Sequence, residues 1–114
     1  MTRVLLRDCA HSRSGDKADL ANVAVFAPNP TVYAAFLREV TAERVKVLFG
    51  ELVRGRVERF EAANVLGLNF VLHEALGGGA ARSLRSDPLG KAYGGLILRL
   101  EIEMDDAEIA ALRS

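Results

Sequence analysis

The stretch Asn22-Val-Ala-Val-Phe-Ala-Pro-Asn-Pro-Thr-Val-Tyr-Ala-Ala-Phe-Leu-Arg-Glu-Val40 passes from an apolar β-type run straight into a helical stripe. Asn22–Ala27 reads as a strand. Pro28-Asn-Pro30 stops it, because proline cannot donate to a ladder. Asn29 then offers an N-cap with Pro30 at the first helical position. Tyr33, Phe36, Leu37 and Val40 fall at i, i+3, i+4 and i+7, one apolar face of a helix. Strand followed by helix within twenty residues sets the class as mixed α and β.

Working outward, Thr41 can cap a second helix whose stripe is Val45, Leu48, Phe49 and Leu52, with Gly55 as its stop signal. Arg3–Cys9 reads as the first strand. Val57–Ala62 alternates as another, with Phe60 inward and Arg59 and Glu61 outward. Residues 66–76 fit either period. The length and the terminal Gly77 favour a helix capped by Asn64, and Asn69 and His73 share a face in both readings. Ala81–Ser86 reads as a short strand, Asp87-Pro88 as a helix start, 88–95 as a short helix and 96–104 as a strand. A single domain over 1–104 is expected, followed by a loose helical tail over 105–114. The expected architecture is an α+β two-layer sandwich, one sheet of about four strands with helices on one face. Its other sheet face calls for a cover, most economically a second copy or a partner domain.

The chain has 114 residues, half of them apolar, with 15 basic and 15 acidic side chains and no Trp. A domain of this size buries roughly two-thirds of its unfolded surface, enough for stability without disulfides or metals. Balanced charge with alternating signs, as in Arg54–Glu61, excludes the basic footprint of a nucleic-acid binder. It also offers little repulsion to a second copy, so a homodimer or higher oligomer is expected. The one cysteine, Cys9, allows no internal disulfide. It reads as a small apolar side chain in a strand, fitting a reducing, cytoplasmic setting. No signal peptide or membrane span is legible.

Two polar segments stand out. His11-Ser-Arg-Ser-Gly-Asp-Lys17 has no apolar residue and reads as a loop. Its Ser14-Gly15-Asp16-Lys17 part suggests an anion-cradling turn, with Arg13 and Lys17 adding charge. A solvated connection between strands is the plain alternative. The second segment holds Asn69 and His73 ahead of Gly77, Gly78 and Gly79, with Arg82 beyond. His11, Asp16 and His73 are the candidate proton-handling residues. Arg13, Ser14, Gly15, Lys17, Asn22, Asn69, Gly77, Gly78, Gly79 and Arg82 are the candidate ligand-binding ones. A structural histidine and a mobile glycine turn are the competing explanations. No metal set exists at ligand spacing, no cofactor is implied, and no nucleophile-elbow context supports a Ser–His–Asp triad.

The strings His11–Lys17, Leu20-Ala-Asn22-Val, Thr41–Lys46, Leu68–His73, Ala75-Leu-Gly-Gly-Gly79, Ser83-Leu-Arg85 and Asp87-Pro-x-Gly-Lys91 together resemble the small C-terminal domain of the acyclic terpene utilisation protein A (AtuA) family. The resemblance runs to about residue 103. Where the family pattern has Gly-Asp-Lys-Gly, this chain has Ala18. The resemblance implies a ferredoxin-like fold and a large partner domain, which precedes the small one in the family. It also implies a setting in terpenoid breakdown through acyl-CoA intermediates. Here the domain is expected to stand alone, as a small subunit completing a site on a large partner. A free-standing homodimeric binder or enzyme for acyl-CoA or another small anion is the alternative, and a structural or interaction module a third. The small-subunit and free-standing readings give Arg13 and Lys17 an anionic group, His11 or His73 a proton, and Asn69 a carbonyl to orient.

Overall fold

Proline-bounded and glycine-bounded segments of alternating hydrophobicity fold here into strands wherever a neighbour completes the ladder. The computed structural model describes residues 1–17, 20–50, 53–74 and 94–112. In chain order the elements are β1 (Thr2–Leu5), β2 (His11–Lys17), β3 (Leu20–Phe26), α1 (Pro30–Glu39), α2 (Ala42–Phe49), β4 (Val57–Ala62), β5 (Gly67–His73), β6 (Glu101–Met104) and α3 (Asp106–Leu112). Short 3-10 turns at Leu6–Asp8 and Ala63–Val65 and a helical segment over 94–97 complete them. Four antiparallel strands form one sheet in the order β2-β3-β5-β4, and β1 pairs with β6 in a second, two-stranded sheet. The fold is an α+β, ferredoxin-like sandwich.

Both expected helix starts are present. Asn29 Oδ1 accepts from Val32 N at 2.9 Å, and Thr41 Oγ1 accepts from Arg44 N at 3.1 Å. Each satisfies one of the orphan donors of a first turn. The second helix stops earlier than Gly55: Gly50 caps it with a φ of 56°, a left-handed value glycine adopts freely. Gly55 has a different task. A Cβ there would lie 2.7 Å from the His73 carbonyl oxygen, so glycine is needed for close approach to β5.

The inner face of the four-stranded sheet carries Ala21, Val23 and Val25 from β3 and Leu68, Phe70 and Leu72 from β5, all buried. Against them pack Tyr33 and Phe36 of α1, Val45 and Phe49 of α2, and Leu6, Ile97, Ile102 and Met104. Each large side chain removed from water here contributes roughly 1.5–3 kcal/mol. Polar bonds tie the layers. Tyr33 Oη donates to the Gly67 carbonyl at 2.9 Å, and Arg59 Nη1 donates to the carbonyls of Leu37 and Val40 at 2.9 and 3.0 Å, at the end of α1.

Several sequence readings are corrected. Residues 67–73 form the central strand β5, because burial on both flanks rewards the alternation of Leu68, Phe70 and Leu72 over a helical stripe. Asn64 accordingly sits in a 3-10 turn and caps no helix. His11–Lys17 is an extended edge strand: pairing with β3 overrides its loop-like composition, and no anion-cradling turn forms within it. The inward and outward sides of β4 are exchanged, with Phe60 51% exposed and Arg59 turned to the helices. Cys9 is buried as expected but follows a 3-10 turn, and its thiol is pushed up to about 11 by burial and then by Asp8. Residues 94–97 are helical, so the last strand is shorter than 96–104.

The segment expected as a loose tail is a capped helix. Asp105 Oδ1 accepts from Glu108 N at 2.8 Å while Glu108 Oε1 accepts from Asp105 N at 2.9 Å, a reciprocal capping box. Arg38 of α1 donates to both Glu108 oxygens at 2.9 and 3.0 Å, and Asn29 Nδ2 donates to the Ala111 carbonyl at 3.0 Å. The expected strand 81–86, the Asp87-Pro88 helix start and most of helix 88–95 lie outside the described residues, as do Gly77, Gly78, Gly79 and Arg82.

Candidate functional site

Directly paired residues of an antiparallel sheet project to the same side. The register therefore writes out the face that the helices leave open. One row is Lys17, Leu20 and His73, and Arg56 flanks it through a bond from His73 N to its carbonyl at 3.0 Å. The next is Gly15, Asn22, Val71 and Glu58; the third is Arg13, Ala24, Asn69 and Phe60; the last is His11, Phe26, Gly67 and Ala62. Arg13, Asn22, Asn69 and His73, singled out in distant segments, thus share one surface, reached through strand pairing rather than through loops.

The grouping is selective. His11 and His73 occupy the same face, but six residues of strand separate their rows, about 20 Å. Ser14 and Asp16 hold the alternate register positions, opposite Val23 and Ala21, in the rows of the inner face. The register positions of Asp16 and His73 therefore fall in alternate rows. Ser12 Oγ donates to the Gly94 carbonyl at 2.9 Å, and a Cβ on Gly94 would come within 3.1 Å of Ser14 Oγ. These serines seat the 94–97 segment against the edge of the sheet.

On the open face, His73 Nε2 lies 2.7 Å from Glu58 Oε1, and Arg56 Nε lies 3.5 Å from the same oxygen. The bond from His73, aided by the charge of Arg56, holds the Glu58 carboxyl below its ordinary range against a partial desolvation. Asn22 Nδ2 donates to Asn69 Oδ1 at 3.4 Å. Leu20 and Phe60 are 43% and 51% exposed on this same face. Exposed apolar side chains are thus interleaved with Arg, His and Asn on this face. On the helix side, an open groove of about 430 Å³ runs between α2 and the approach to β6, lined by Glu43, Arg44, Val47, Leu48 and Leu100. Arg44 there is already committed to the carbonyls of Glu39 and Glu101. Among the described residues no group of three His, Cys, Asp or Glu side chains is placed to hold a metal ion, and no helix is long and apolar enough to cross a membrane.

The sequence model of the AtuA ferredoxin-like domain matches residues 4–103. The chain belongs to that family. No curated protein and no solved structure matches it significantly.

In this AtuA ferredoxin-like domain, sequence reasoning found His73 but missed its partners Glu58 and Arg56. Their signal is the i, i+2 spacing of Arg56, just ahead of β4, and Glu58 within it, which places both beside His73 once β5 is read as a strand. Phe60 and Leu20 were missed as surface residues for the same reason: side assignment needs the register.

Proposed function

We propose that this chain acts as an AtuA-type small subunit that docks the open face of its four-stranded sheet on a large AtuA-type partner domain. There it completes a site for an acyl-CoA-type substrate in terpenoid-type catabolism. The observation that carries this reading is the open face itself, which gathers Arg13, Asn22, Asn69, His73 and Glu58 around exposed Leu20 and Phe60. In the completed site Arg13 and the position of Lys17 serve an anionic group. Asn69 orients a carbonyl, and His73, held by Glu58, moves a proton. A face of this size and mixed polarity suits a partner that buries the apolar residues and meets the polar ones.

The test is direct. The chain is mixed with a purified AtuA-type large domain and run by size-exclusion chromatography with light scattering. A one-to-one complex that Phe60→Asp abolishes supports the proposal. Two unshifted peaks overturn it. A doubled mass for the chain alone, lost in the same variant, would assign the face to a second copy instead.

A further inference from the structure

We infer that Arg13, Asn22 and Asn69 form a seat for a carboxylate on the open sheet face. Arg13 and Asn69 share one row on either side of Ala24. Two strand spacings separate them, about 10 Å between backbones. A long guanidinium and a short amide can span that distance with one small planar acceptor between them above the Ala24 methyl. Asn22 flanks the spot from the next row, between Gly15 and Val71. A Cβ on Gly15 would come within 3.0 Å of Asn22 Oδ1, so glycine leaves room for the Asn22 amide beside it.

Donors are available on this row. Asn22 spends one amide proton on Asn69 Oδ1, which fixes the orientation of the Asn69 amide and leaves its NH₂ group to donate elsewhere. Among the described residues Arg13, which is exposed, has no bonded partner. A guanidinium fork and a neutral amide match the two oxygens of a carboxylate. Among the described residues the carboxylate placed on this face is that of Glu58, which is occupied by His73 and Arg56 a row away. A phosphate dianion would meet a single guanidinium in the seat, which is why the assignment is to a carboxylate.

The carboxylate can be that of a small molecule or that of an Asp or Glu side chain on the partner; the second source rests on the docking proposed above. Two arms separate them. The ¹⁵N-labelled chain is titrated with glutarate, against sodium chloride at matched ionic strength and against inorganic phosphate, following the Asn22 and Asn69 side-chain amides and Arg13 Nε–H. In parallel, association with the AtuA-type large domain is measured for the wild type and for Arg13→Gln and Asn22→Asp. Both variants are solvent-exposed and should keep the wild-type melting temperature.

Saturable glutarate shifts, lost in both variants and absent with chloride, support a small-molecule source. Silence with glutarate, together with about a tenfold weaker association of either variant, supports a protein-borne carboxylate. Silence in both arms overturns the seat. Tighter saturation by phosphate than by glutarate overturns the choice of anion. Saturation by glutarate without any complex would remove the docking proposal and leave the seat standing.

Discussion

The two faces of the four-stranded sheet are built from alternate residues of the same strands, yet they obey different rules. On the inner face, Val23, Val25, Leu68, Phe70 and Leu72 are buried against helices, and Arg59, one of its polar residues, has its guanidinium bonded to carbonyls. On the open face, Asn22, Asn69, His73 and Glu58 sit among exposed Leu20 and Phe60. The inner face minimises free energy within the chain. The open face holds polar and apolar groups that no element among the described residues covers.

The sharpest way to break the comparison is a pair of Phe truncations. Phe70→Ala should cost about 3–5 kcal/mol of unfolding free energy. Phe60→Ala should cost no more than about 0.5 kcal/mol. Denaturant melts of both variants read the difference, and comparable losses would erase the distinction between the faces.

Next in size is the anchor of α3. Arg38→Ala leaves the carboxylate of buried Glu108 with the Asp105 amide as its only partner among the described residues. A loss of about 2 kcal/mol is expected, with the C-terminal helix fraying first in hydrogen exchange. Asn29→Ala removes both the α1 cap and the bond to the Ala111 carbonyl, and should cost about 1 kcal/mol by the same melts.

The smallest effect is a pH dependence. The Glu58 carboxyl is held below its ordinary range, first by the bond from His73. Its contribution to stability is therefore complete above the unfolded carboxylate value, about 4.3, and is lost as pH falls through the lower folded value. Glu108 behaves alike, through Arg38. Melts across this acid range should show a shallower loss for Glu58→Gln than for the wild type. An unchanged slope would mean that the Glu58–His73 bond does not persist in solution.

Much of the fold was legible where local chemistry and tertiary context agree. Asn29-Pro30 and Thr41 announce helix starts because capping is a short-range bond, and it forms as read. The errors fall where pairing decides. Gly67–His73 carries both periods, and only flanking strands on each side tip it to β. His11–Lys17 contains no apolar residue, yet an edge strand paired on one side does not require one. The candidate residues were chosen by type, and those among the described residues fall on β2, β3 and β5. Their division into an open-face set and the inner-row pair Ser14 and Asp16 depends on strand parity, which no motif encodes. Glu58 was invisible because its role exists only across the β4–β5 register.

The most direct test of the account is the footprint of the large AtuA-type domain on this chain. Methyl-labelled chain is titrated with that domain, and the shifts of Leu20, Ala24 and Val71 are compared with those of Val47 and Leu48 on α2. The account predicts perturbation of the first group with the second unmoved. Shifts confined to the helix side, with Leu20, Ala24 and Val71 unchanged, would contradict it.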